Sequence, residues 1–285
     1  MKQLEAIRLL VALGSLSLAR HAGAQCRPPA SSHEARLLAF YEAPIVFSMP
    51  AAPERMTAGA IRLGGEMIPV PSPNPSLQHP EYCYANTTNN TRLASIFGRP
   101  RLTIGLPAGL AIEGSYLPNV TVSAAEANLV SGALTYTKSF IANRLALAAR
   151  LDGTTGRVRG AITCPQRSLQ TVDQNIPCYG SEPSRDSFDP NSVGFEAALG
   201  ARVAAGRLAL YAGGGARSLH PHFQAGFTDE LGNVDRTTVD VALMRATAFA
   251  GATTRLRDRV FVSMQLYTVP ADATTLRVGA EYALR

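Results

Sequence analysis

The chain has 285 residues, 46% of them hydrophobic, with 27 Lys and Arg against 21 Asp and Glu and a formal charge of +6. That apolar content excludes a disordered polyelectrolyte, and the basic residues are scattered singly, without the aromatic interleaving of single-strand nucleic-acid binders. Outside the first residues no uninterrupted apolar run approaches the ~20 residues of a spanning helix.

Residues 1–24 have the form of a secretory signal peptide, with basic Lys2 and Arg8, an apolar stretch over 9–19 and an Ala22-Gly23-Ala24 cleavage site. Cys26 follows, but Gln25 stands where a lipoprotein signal carries a small residue, so a lipid anchor is the minor reading. The cysteines Cys26, Cys83, Cys164 and Cys178 fit an oxidising compartment and allow three pairings. Cys164 and Cys178 share one loop-like stretch and are the expected bridge, worth about 3 kcal/mol in the chain-entropy picture. No Cys/His cluster has zinc spacing, so neither a metal nor another cofactor is expected.

Ser31 and Glu34 have capping-box spacing before an apolar run, which predicts a short helix over 32–42 ended by Pro44. Residues 25–58 form a separate N-terminal segment, either periplasmic or folded into a barrel mouth, with a disordered leader as the alternative. Ten strands of period two follow, over 59–70, 99–106, 109–118, 127–138, 143–163, 192–203, 207–228, 234–256, 259–269 and 273–284. Eight or twelve also fit the pattern. Connections at 107–108, 139–142, 204–206 and 257–258 are short, whereas 71–98, 119–126 and 164–191 are longer. The stretches 143–163, 207–228 and 234–256 exceed the ~9–11 residues that cross a bilayer and predict hairpins projecting beyond it.

Alternation sorts the side chains into two faces. One carries Leu63, Leu102, Ile112, Leu134, Leu147, Phe195, Leu266 and Leu276. The other carries nine arginines (Arg62, Arg101, Arg144, Arg150, Arg202, Arg207, Arg217, Arg236, Arg277) and six acids (Glu66, Glu113, Asp152, Glu196, Asp240, Glu281) among many Gly, Ala and Ser. A soluble sandwich would bury the apolar face, while a membrane barrel turns it to lipid and points the charges into the lumen. The two lysines of the whole chain, Lys2 and Lys138, leave Arg as the cation of that face, and Arg pairs bidentately with carboxylates in enclosed sites. Tyr116, Tyr136, Tyr267 and Tyr282, near strand ends, are expected at the membrane interfaces.

With this strand-and-turn rhythm over 59–285, and the ending RVGAEYALR, the chain resembles outer-membrane β-barrel proteins of double-membraned bacteria. Such proteins commonly end on an aromatic residue; Tyr282 and Leu284 match, but Arg285 stands last. The resemblance implies an all-β fold, a single antiparallel transmembrane barrel. It implies contact with outer-membrane lipid and lipopolysaccharide, and with the barrel assembly machinery.

The fifteen charges predict a salt-bridge network filling a narrow lumen, and the function expected is a porin-like or small-solute transport barrel without chemistry. The alternative is a closed barrel serving as membrane anchor or surface-interaction module. Third comes a lipid-modifying enzyme using His220 or His222, for which no serine elbow or phosphate loop is present. Gly213-Gly214-Gly215 sits within a strand with no helix after it, and reads as close backbone packing.

Overall fold

The computed structural model describes residues 25–83, 89, 94–122, 125–203 and 207–284. The expected signal peptide and Arg285 lie outside them. Ten strands follow one another around a closed wall: β1 (Ile61–Pro69), β2 (Ile96–Gly105), β3 (Leu110–Val122), β4 (Ala125–Phe140) and β5 (Leu145–Gly160). The second half is β6 (Ser192–Val203), β7 (Leu208–Leu219), β8 (Leu243–Arg257), β9 (Val260–Val269) and β10 (Ala273–Ala283). Each strand is antiparallel to the next, and β10 returns to β1 through pairs from Val278↔Met67 to Ala283↔Arg62. Closure joins the two ends of the sheet, as a wall in hydrocarbon requires because an unpaired backbone group there is costly, and leaves the outer halves of β2 and β3 unpaired with each other.

Turns at 107–109, 141–144 and 258–259 close one end, and connections 161–191 and 220–242 lie at the other. Short turns face the periplasm in such barrels, so the long-loop end is the outer one. Outward-facing Leu63, Leu147, Phe195 and Leu266 are about half exposed, whereas Glu66, Arg101, Glu196 and Arg217 are at most 4% exposed. A globular protein in water has the opposite distribution. The wall is therefore turned toward lipid, and the protein is an outer-membrane β-barrel.

Several boundaries differ from the sequence expectation. The predicted loop 119–126 is mostly strand, because a bulge between Leu117 and Val120 carries the alternation on to Val122. The predicted strands 207–228 and 234–256 leave the wall at Leu219 and rejoin it at Leu243, interrupted by Pro221. Their outer parts form short strands at His222–Gln224 and Thr238–Asp240. Together with Asp186–Asp189 and Gln25–Cys26 these extend from the outer end of β5 as a small cap sheet.

Helix α1 (His33–Glu42) lies beneath that sheet. Its N-cap is Ser32, whose hydroxyl accepts from the Ala35 amide, rather than Ser31. Leu38, Phe40 and Tyr41 join Phe188, Leu219, Phe223 and Val239 in a core of soluble type at the barrel mouth. The described residues thus start at the outer end, with Gln25, although the barrel that follows starts and finishes at the periplasmic end.

Candidate functional site

Between α1 and β1 the chain runs down through the lumen. Residues 43–54 are the plug, and its buried members Ala43, Val46 and Met49 pack on Ala148, Ala198, Tyr211, Phe249 and Tyr267 of the inner wall. An extended segment in a narrow tube has main-chain groups that the wall ladders cannot satisfy, so side chains must.

Arginines do most of this. Arg99 donates to the Ile45 and Val46 carbonyls at 2.6 Å each. Arg277 donates to Val46 (2.9 Å) and Ala43 (3.0 Å). Arg101 reaches the Ser48 carbonyl at 2.8 Å, Arg150 the Phe47 carbonyl at 3.2 Å, and the Gln265 amide donates to Met49 at 2.9 Å. In the reverse sense Glu196 accepts from the Ser48 hydroxyl at 3.0 Å and from the Met49 amide at 3.1 Å.

The same guanidinium groups are held by wall carboxylates. Glu66 binds Arg99 at 2.6 Å and Arg101 at 2.8 Å. Glu113 binds Arg101 and, at 2.6 Å, Arg150. Across the lumen Arg217 pairs with Asp152 at 2.7 Å and Glu196 at 3.4 Å. A Cβ at position 194 would lie 2.5 Å from the Arg217 guanidinium carbon, so Gly194 provides the space for this pair. Phe47 sits in the middle, its ring centroid 4.1 to 5.1 Å from the guanidinium carbons of Arg101, Arg99 and Arg150. Buried cations over an aromatic face attract it by about 2 kcal/mol or more each when desolvated.

At the periplasmic end Glu54 closes the plug, 2.6 Å from Arg62, 2.6 Å from Arg202 and 3.7 Å from Arg255. Arg62 also reaches Glu281 at 3.7 Å.

Eleven of the fifteen charges expected in the lumen stand on its inner wall. Arg144 is exposed in the β4–β5 turn and Arg207 just before β7, because each strand begins after the residue in question. Arg236 and Asp240 belong to the cap, where Asp240 meets His222 at 2.6 Å and Gln25 at 2.7 Å. Tyr267 does not join an interfacial girdle. It shares its parity with Gln265, is fully buried and stacks under Arg277 at 4.1 Å. Gly213 faces the Phe249 ring and leaves no room for a side chain.

Sequence reasoning missed Arg99, Glu54, Phe47 and the whole plug. Arg99 carries a legible signal, two residues from Arg101 on one strand face. Phe47 and Glu54 carry none, lying in an aperiodic link.

The cap is tied down covalently. Cys26 joins Cys83 and Cys164 joins Cys178. The Glu34 carboxylate accepts the amides of Glu81, Tyr82 and Cys83 at 2.5 to 2.9 Å, tying the loop to α1. Burial alone would raise the Glu34 pKa, but these amides outweigh it and hold the carboxyl below its usual range. Asp186 in turn accepts from Ile162, Thr163, Ser184 and Gly226, all at 3.1 Å or less.

No protein-family model matches the chain, and no curated protein matches it. Among solved structures, Ail, the attachment invasion locus protein of Yersinia pestis, aligns over 80% of this chain and 100% of its own at 10% identity and TM-score 0.34. The outer membrane protease OmpT from Escherichia coli aligns over 79% and 94%, at 10% identity and TM-score 0.37. A de novo designed transmembrane β-barrel aligns over 81% and 100%, at 10% identity and TM-score 0.27.

Proposed function

We propose that the protein is a closed outer-membrane barrel that anchors its disulfide-tied cap at the cell surface as an interaction module. The observation supporting this is the plug: residues 43–54 occupy the axis that a solute path would use, and their carbonyls are held by Arg99, Arg101, Arg150 and Arg277. A transport barrel with the same charges would leave its cations facing water, where an anion meets them. Here they are spent on wall carboxylates and plug carbonyls.

The surface module is the cap. Arg159 and Arg185 stand exposed at the outer end, beside Glu126 at 3.8 Å and Glu182 at 4.0 Å, and are the cations there that lipopolysaccharide phosphates would meet. The apolar belt contacts outer-membrane lipid, and its strands are the substrate of the barrel assembly machinery.

Planar-bilayer recording tests the closed barrel. The full chain should stay silent at every voltage, and steady single-channel events would return the transport reading to first place. Deletion of 165–183 within the cap should abolish surface attachment while the barrel still assembles. The enzymatic reading, resting on His220 and His222, predicts a changed lipid A profile when both are replaced by Ala. We expect no change.

A further inference from the structure

The barrel wall is not evenly zipped. Strands β2 and β3 are ten and thirteen residues long, yet they pair only from Leu102↔Gly114 to Gly105↔Ala111. Their outer halves, 96–101 and 115–122, pair on their far sides with β1 and β4 and not with each other.

The sequence explains the gap. The Gly105 amide donates toward β1, to Ala60, whereas the Leu106 amide donates toward β3, to Leu110. Even-numbered residues of β2 therefore turn their N–H toward β3, and by the same alternation even-numbered residues of β3 face β2 as far as the bulge that follows Leu117. Pro100 occupies such a position on one lip, and Pro118 lies in the bulge of the other. Neither has a backbone N–H to offer where the zipper would continue.

Behind this seam lies a cavity of about 770 Å³ including its mouth, between plug and wall. Phe97, Leu117, Ala127 and Val158 form its sides, and Pro44 and Ile45 of the plug form its back. Outward-facing Ile96 and Val120, both exposed, stand at its mouth. The lining is apolar, and the mouth opens sideways through the outer half of the wall, beside the belt residues Leu102 and Tyr116. A lateral opening along that lipid-facing row meets hydrocarbon where the row is embedded.

We propose that this cavity takes one acyl chain of an outer-leaflet lipid, entering sideways through the β2–β3 seam. Occupant and route follow from the same observations: an apolar pocket, a break in the ladder of the lipid-facing wall, and no charged side chain among the described residues that line it. The proposal is independent of what the cap binds.

The test uses the full chain in phosphatidylcholine vesicles doped with a phospholipid that carries a diazirine at the end of one acyl chain. Photolysis should label peptides containing Phe97, Leu117 or Val158 in addition to belt residues. Ala127→Phe, which fills the cavity, and Gly98→Val, which narrows the mouth, should each cut interior labelling about tenfold. A Cβ at position 98 meets only ordinary contacts, 3.5 Å from the Glu66 carbonyl oxygen, so the backbone there accepts a side chain. Gel migration of unheated samples verifies that both variants are folded, and belt labelling should not change. Labelling confined to the belt, or interior labelling unaffected by either folded variant, overturns the proposal. So does displacement of the interior label by free alkane but not by unlabelled phospholipid.

Discussion

The ring of Phe47 lies 4.1 Å from the guanidinium carbon of Arg101, which in the same position donates to the Ser48 carbonyl and pairs with Glu66 and Glu113. One plug side chain and one wall side chain thereby join the segment that closes the lumen to the network that lines it. Breaking that junction should loosen the plug before it harms the barrel.

Phe47→Ala should destabilise the protein by about 3–5 kcal/mol, the usual cost of emptying a buried aromatic site. The readout is the temperature at which the compact, unheated gel species is lost. A variant that melts with the wild type would show that Phe47 is not a packing centre.

Removing donors from the plug should be felt as conductance. In Arg277→Met the Ala43 carbonyl loses its side-chain donor, at about 1–3 kcal/mol for a group left unsatisfied, while the Val46 carbonyl keeps Arg99. Planar-bilayer recordings of this variant should show brief openings absent from the wild type. Continued silence, with a normally folded barrel, would mean the remaining arginines suffice.

Glu42 supplies a pH dependence. It is buried at the outer mouth, and burial pushes its pKa from 4.5 up to about 7, with Ser192 and Arg217 opposing the shift and Asp272 adding to it. Between those values the folded protein holds a proton that the unfolded chain has released, so stability falls as pH rises, and the cost is complete above about pH 7. Glu42→Gln should therefore stabilise the protein at about pH 8 by up to about 3 kcal/mol and change little at about pH 4. Melting curves at the two pH values check the sign.

The Cys26–Cys83 bridge spans 57 residues, including the plug. Replacing both cysteines by Ser should cost about 4 kcal/mol in the chain-entropy picture. Limited proteolysis should then cut the outer end of the chain first, while the ten-strand wall, which lacks both residues, stays protected.

Much of this protein can be read without coordinates because a β-barrel wall is a local object. Side-chain parity along Ser192–Val203 or Ala273–Ala283 separates lipid from lumen one residue at a time, and Glu66, Arg101, Glu196 and Arg277 come out on the inner face by that rule alone. Where parity was applied to a residue outside a wall strand it failed, as at Arg144, Arg236 and Asp240. At Tyr267 the parity was right and the expected girdle was not.

By itself the sequence determined the class of fold, a strand count near ten and the inversion of its faces. Only the tertiary structure decided what fills the lumen. The link 43–54 has no period, and its carbonyls look alike in any sequence. Their partners, Arg99, Arg150, Gln265 and Arg277, are 53 to 234 positions away and meet them only once the sheet has closed.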